Sequence, residues 1–301
     1  MSAASSWVRT PPEGRRKDLY QRIVFALTLV ATLIVLAPIV IVSAYVLREG
    51  ASAITWEFLT DPPRRDGAEG GIWPVIVLTA YSLLLVVLMA VPLGVGAAVF
   101  LSEYARPGRL LRLINLTIIN LAGVPSIVYG LFGAAFFLDI LGGQKSLWVV
   151  SATLALQALA IIITSARESL LAVSRGVREG SLALGVSRLR TTFFITLPQA
   201  LPGIITGVLL AISRAAGETA PVIVVGAIMA KNVSLSPAAV INERAQVLSF
   251  ELYGRIIEGI GYPEDRKWGI ALVLLAVVLL FNLSALFLRW RISRLGSVRR
   301  N

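Results

Sequence analysis

Arg214 and Glu218 stand four residues apart in a run that is otherwise apolar from about Gln199 to Met229. An arginine at the centre of a membrane span costs about 2.5–3.5 kcal/mol on insertion scales, so this pair should face a polar path or a partner rather than lipid. The planar guanidinium suits bidentate contact with an oxyanion, and a carboxylate one helical turn away suits holding it in place. The same spacing also fits a fixed ion pair with no anion involved. Because a carboxylate repels a free anion, Glu218 is expected to gate or orient rather than to bind. Arg167 and Glu168 end another apolar run and read either as a second basic station on the path or as a snorkelling span end. The chain has no Cys and no His. Thiolate and imidazole metal sites, disulfides and Cys/His or Ser-His-Asp nucleophiles are therefore excluded. An intramembrane enzyme using Glu218 as acid or base and Arg214 as anion holder would need a second catalytic group, for which few residue types remain.

The elements that must position these residues are spans. Of 301 residues 56% are hydrophobic and 15% charged, with a mean hydropathy of +0.80; soluble domains carry roughly 25% charged residues. The composition predicts an all-α integral membrane protein. Apolar runs at about 23–47, 72–101, 113–141, 147–164, 199–229 and 268–288 predict six transmembrane helices, each near or above the roughly 20 residues a bilayer requires. The first run is too long for a signal-peptide core and reads as an uncleaved span. Roughly twice as many Lys and Arg fall on the side of both termini as on the other, which places the termini in the cytoplasm. The net charge of +11 is scattered through loops, so topology explains it better than nucleic acid does. Pro125, followed by Ser126, interrupts the third span and predicts a kink beside a path or an ordinary packing kink. Pro202, Gly203 and Gly207 allow the same two readings in the fifth. In the long outer loop, Tyr253, Ile256, Ile257 and Ile260 recur at helical spacing with Glu251, Arg255 and Glu258 between them, predicting an amphipathic helix on the outer face, as lid or docking surface. Gly142, Gly143, Gln144, Lys145 and Ser146 lack the glycine before lysine that a P-loop needs, so no ATP site of that kind is expected.

Residues 165–198 are too basic for hydrocarbon, yet lie between two spans. Within them Glu179, Gly180 and Ser181 are followed after three residues by Gly185, after nine more by Ile195, and then by Leu197 and Pro198. A short helix before Gly185, a positive φ at that glycine and a second short helix through Phe194 would make a compact knob. A surface helix anchored by arginines at anionic headgroups is the plainer reading of the same charges. The spacing resembles the cytoplasmic EAA loop of ABC importer permeases. Asn120–Phe132 (NLAGVPSIVYGLF), Ala166–Val173 (ARESLLAV) and Arg214–Pro221 (RAAGETAP) are similar to phosphate importer permeases of the PstA type. That resemblance implies a type I ABC importer permease core at 71–289, with the coupling loop at 165–198. Flanking it would be a tail at 1–22, a first span with outer loop at 23–70, and a basic tail at 290–301. It further implies inward movement of inorganic phosphate by alternating access, with no cofactor and no catalysis by this chain. The implied partners are a second homologous permease of the PstC type, two cytoplasmic ATPase subunits, an extracytoplasmic phosphate-binding protein and membrane lipid, but not nucleic acid. The implied location is a bacterial or archaeal cytoplasmic membrane, multi-pass. Another oxyanion would leave the loop spacing intact; a passive anion channel would leave the loop without purpose.

Overall fold

The computed structural model describes residues 13–65, 69–226, 236, 239–242, 246–257 and 262–298. Helix α1 (Glu13–Gly50) starts inside the predicted tail and crosses as one long rod. It leans on the rest of the chain through α12, with Tyr45 edge-on to Trp268 at 5.0 Å. None of its apolar window is buried. A turn, the short helix α2 (Trp56–Thr60) and the antiparallel strands β1 (Pro63–Arg64) and β2 (Glu69–Gly70) then lead into the core helices. The Thr55 hydroxyl starts α2 by accepting from the Phe58 amide at 3.1 Å.

The core is α3 (Trp73–Val99), α4 (Arg109–Ala122), α5 (Ser126–Gly133), α6 (Leu147–Leu171), α9 (Leu197–Gly217), α10 (Ala220–Val225) and α12 (Glu264–Val298). Between α6 and α9 lie α7 (Arg175–Ala183) and α8 (Arg188–Thr191), and α11 (Leu248–Ile257) precedes α12. Helix α6 is apolar on every side over most of its length, the pattern of a helix surrounded by others. Accordingly Val149, Val150, Leu154, Ala158 and Ile162 are buried against Leu78, Val86 and Ala90 of α3, Ala211 and Ile212 of α9, and Val222 and Val225 of α10. Small residues set the closest approaches. A Cβ on Gly207 would lie 2.2 Å from the Cβ of Ser165, so α9 and α6 meet almost backbone to backbone.

Four expectations change. The third predicted span is not one rod: α4 and α5 meet at 104° across Gly123–Pro125. Proline removes a donor and biases Val124 away from the helical region, which breaks the helix instead of kinking it. The fourth span continues to Leu171, so Arg167 and Glu168 are helical rather than loop residues. The fifth begins earlier: α8, a widened π turn at Thr192–Thr196 and α9 form a continuous helix over Arg188–Gly217. The wide turn relieves the clash that Pro198 would make with the carbonyl four residues before it. That helix then stops at Gly217, with Glu218 extended, and the short α10 follows; Met229 and the start of the outer loop lie outside the described residues. The last helix runs on to Val298, through most of the predicted tail. Five helices are thus long and apolar enough to cross a bilayer, and the bent pair makes a sixth when counted as one broken crossing.

The two short helices that follow these breaks pack on each other, and a Cβ on Gly130 of α5 would sit 2.8 Å from the Pro221 Cα of α10. Overpacking of this kind costs about 1–3 kcal/mol. Gly130→Val should therefore lower the thermal unfolding midpoint of the detergent-solubilised protein. Gly96→Ala, where a Cβ meets nothing within 4 Å, should leave it unchanged or slightly raised.

Candidate functional site

Glu218 sits where α9 ends, and its carboxylate is held from two helices. Arg214 Nε donates to Oε1 at 3.1 Å, and Gln157 Nε2 of α6 donates to the same oxygen at 2.5 Å. The i, i+4 spacing brings the pair together as predicted, and Glu218 is the residue at which α9 ends, its φ still helical and its ψ extended. The Glu218 side chain is 14% exposed and that of Arg214 48%. The two Nη groups of Arg214 have no hydrogen-bond partner among the described residues, so its fork stays open while its Nε is tethered. Burying a carboxylate is tolerable only with such partners.

The backbone is secured at the same places. The Glu218 carbonyl accepts from the Ser249 hydroxyl of α11 at 2.9 Å, and Tyr129 of α5 donates to the Leu121 carbonyl at 2.7 Å across the α4–α5 break. Pro125 caps α5 just before Ser126. Arg167 lies ten residues further along α6 than Gln157, about 15 Å at 1.5 Å per residue, and its Nε is buried without a partner among the described residues. Glu168 lines a separate cleft of about 470 Å³ with Ser165, Ser169, Thr206 and Arg289. The structure therefore joins Arg214 with Glu218 but does not bring Arg167 or Glu168 to them.

The 165–198 segment has the predicted turn but a different second half. Helix α7 ends at Ala183 and Gly185 takes φ +77, where an L side chain would be strained. Glu179 and Gly180 are exposed, while Ser181 is buried and its hydroxyl meets that of Thr191 at 2.9 Å, fastening α7 to α8. Ile195, Leu197 and Pro198 belong to the long helix rather than to a separate knob. Leu184, at 85%, and Phe194, at 78%, are strongly exposed. On the core side Arg178 donates to Glu103 Oε1 from Nε at 3.1 Å and Nη2 at 2.9 Å.

Two other features fall outside the site. Helix α11 forms where its periodicity predicts and is amphipathic. Glu251 is 3% exposed and pairs with Arg255 at 2.7 Å, whereas Tyr253, Ile256 and Ile257 point outward; Glu258 and Ile260 lie outside the described residues. Burial raises the phenol pKa of Tyr262, over which the Arg255 guanidinium lies at 4.5 Å and partly opposes the shift. A groove of about 720 Å³ between α3 and α12 has almost wholly apolar walls, including Leu83, Val277 and Phe281, and suits hydrocarbon rather than an anion.

Gln157, Ser249, Glu103 and Arg178 are the site residues that sequence reasoning missed. Gln157 is the one amide side chain in α6, which was a usable signal. Ser249 and the Glu103–Arg178 pair had none, being 31 and 75 residues from their partners.

A bundle of broken helices of span length, with a half-buried charged pair at one break and a basic loop between two of the spans, is the architecture of a multi-pass membrane permease. The chain belongs to the family of binding-protein-dependent transport system inner membrane components, which matches residues 90–294. Among curated relatives, the phosphate transport system permease protein PstA 1 of Mycobacterium tuberculosis is 36% identical over 75% of this chain and 72% of its own. The probable ABC transporter permease protein YqgI of Bacillus subtilis is 30% identical over 85% and 90%. A solved bacterial ABC transporter involved in the import of the acidic polysaccharide alginate shares the fold, with a TM-score of 0.63, 14% identity and coverage of 93% of this chain and 98% of that one. The MetNI methionine ABC transporter gives 0.54 at 21% identity, over 74% and 94%.

Replacing Gln157 by Ala leaves a buried carboxylate one donor short. Hydrogen bonds to charged groups contribute about 1.5–3 kcal/mol, so Gln157→Ala should lower stability by that order. Denaturant or thermal unfolding of the purified complex measures it, and an unchanged midpoint would show that Arg214 alone suffices.

Proposed function

We propose that this chain is one permease subunit of an ATP-driven importer of inorganic phosphate, working by alternating access with a second, related permease, two ATPase subunits and an extracytoplasmic binding protein. The observation that carries the reading is the continuous helix Arg188–Gly217. It starts beside the exposed tip of the loop and ends three residues after Arg214, a distance of about 45 Å at 1.5 Å per residue. Leu184 at the turn and Phe194 in the π turn are exposed apolar side chains on a loop that also exposes Glu179, suited to a groove on a soluble ATPase. Force applied to that tip tilts the rod and moves Arg214 and the Glu218 break together, so closure of the ATPases becomes a change at the path. The termini and the loop lie on the cytoplasmic side in this reading, and α11 and the Glu218 end face outward.

Phosphate as the substrate is supported by the PstA 1 relative and by the open fork of Arg214, which matches the geometry of a tetrahedral oxyanion. Glu218 acts as the tether that aims the fork, and Arg167, about 15 Å further along α6, as a second station. Pro125 and Ser126 end the opposing break, so that α5 packs against α10 beside the path.

Two outcomes follow. In proteoliposomes holding the assembled complex, with ATP inside and binding protein outside, wild type should take up labelled phosphate and ignore a sulfate excess. Arg214→Gln should lower uptake about 10- to 100-fold, the equivalent of a charged hydrogen bond, while the complex still assembles; sulfate uptake by wild type would instead identify another oxyanion. Leu184→Glu should weaken retention of the ATPase subunits on the purified permeases by at least about tenfold, as expected for a buried apolar anchor, and full retention would place the docking surface elsewhere.

A further inference from the structure

We infer that Glu103 is a positioning residue that clasps both halves of the 165–198 loop to the cytoplasmic end of α3, so that movement of the loop reaches α3 as well as α9. The inference rests on the importer reading and adds a second mechanical connection to it. Glu103 lies at 8% exposure in a π turn (Phe100–Tyr104) that closes α3, and α3 ends there because Ala105 is extended. From α7, Arg178 brings its whole guanidinium to this point. Nε and Nη2 reach the Glu103 carboxylate, while Nη1 reaches the Val173 carbonyl and Nη2 the Leu170 carbonyl, both at 2.6 Å. Those two carbonyls are at the C-terminal end of α6, where helix acceptors lack intrahelical partners and a cation is favoured. From α8, Arg188 donates to the Glu103 main-chain carbonyl and lies over the Tyr104 ring at 5.5 Å.

Three helices and both halves of the loop therefore meet on one residue. The carboxylate answers α7 and the carbonyl answers α8. An exposed ion pair would contribute little to such a junction, but Glu103 is 9% and Arg178 19% exposed by side chain. Neither partner can leave without stranding a buried charge. The π turn is the second sign of a moving part, since such widened turns are rare and concentrate at functional sites. The chain itself ties the loop to α6 on one side and to the Arg188–Gly217 rod on the other, whereas α3 is reached from the loop through side chains that meet at Glu103. Without the clasp the ATPases could tilt α9 while α3 stays behind, and hydrolysis would proceed without a complete opening.

The test is the ratio of labelled phosphate taken up to ATP hydrolysed in proteoliposomes of the whole complex. Glu103→Gln should lower this ratio at least fivefold while ATP hydrolysis persists and the subunits still co-purify. Since the chain has no Cys, the pair Glu103→Cys with Arg178→Cys introduces the only thiols of this subunit. Reduced, it should be uncoupled like Glu103→Gln; joined by a short thiol-to-thiol linker, it should recover most of the wild-type ratio. A Glu103→Gln complex with the wild-type ratio overturns the inference, as does a linked double variant no better coupled than the reduced one. Failure of both variants to assemble overturns it too, because the pair would then serve folding alone. Absence of ATP-driven uptake in wild type would instead refute the importer reading on which it rests.

Discussion

A backbone carbonyl released from a helix inside hydrocarbon finds no water to bond it, and this requirement organises the bundle. Among the described residues, helices break inside apolar segments at Gly123–Pro125 and at Glu218–Thr219. At each break a hydroxyl from another element takes up a carbonyl, Tyr129 on Leu121 and Ser249 on Glu218. The short helices that follow the breaks then pack on one another where Gly130 admits Pro221. Interrupted helices are thus stable only as a set. The set leaves side chains pointing into the interior that an unbroken bundle would have kept on helix faces.

The charges obey the same rule at two depths. Near the Glu218 end a carboxylate accepts from Arg214 Nε and from an amide, leaving both Nη groups of the guanidinium open. At the end of α3 beside the 165–198 loop, Glu103 and Arg178 use nearly all their capacity on each other and on the end of α6. The first arrangement leaves hydrogen-bonding capacity open, as a transient anion needs. The second is closed, as a mechanical joint needs. Between them runs the continuous Arg188–Gly217 helix.

The family membership places this arrangement among transport permeases, and the shared fold extends to ABC transporters named for chemically different compounds, alginate and methionine. The scaffold therefore does not choose the cargo. In this chain Arg214, Glu218 and Gln157 converge at the break that ends α9.

Much of this was legible in the order of residues. Hydrophobic runs of span length announced the membrane class, because hydropathy needs only local composition. The spacing from Glu179 to Pro198 announced the loop, and Gly185 its positive φ, because a turn is a local conformation. The Arg214–Glu218 pair was visible as two charges out of place. Pro125 marked an interruption, but not that it would become a 104° break, since a proline in a span is kinked or broken according to what packs around it. For α11 as well, periodicity separates two faces of a helix but does not say which one turns inward, and here the buried face carries Glu251. Tertiary structure alone decided that Gln157 meets Glu218, that Ser249 reaches the break and that Glu103 receives Arg178. Those contacts join residues 31 to 75 positions apart, and no local rule relates positions that only packing of the helices brings within bonding distance.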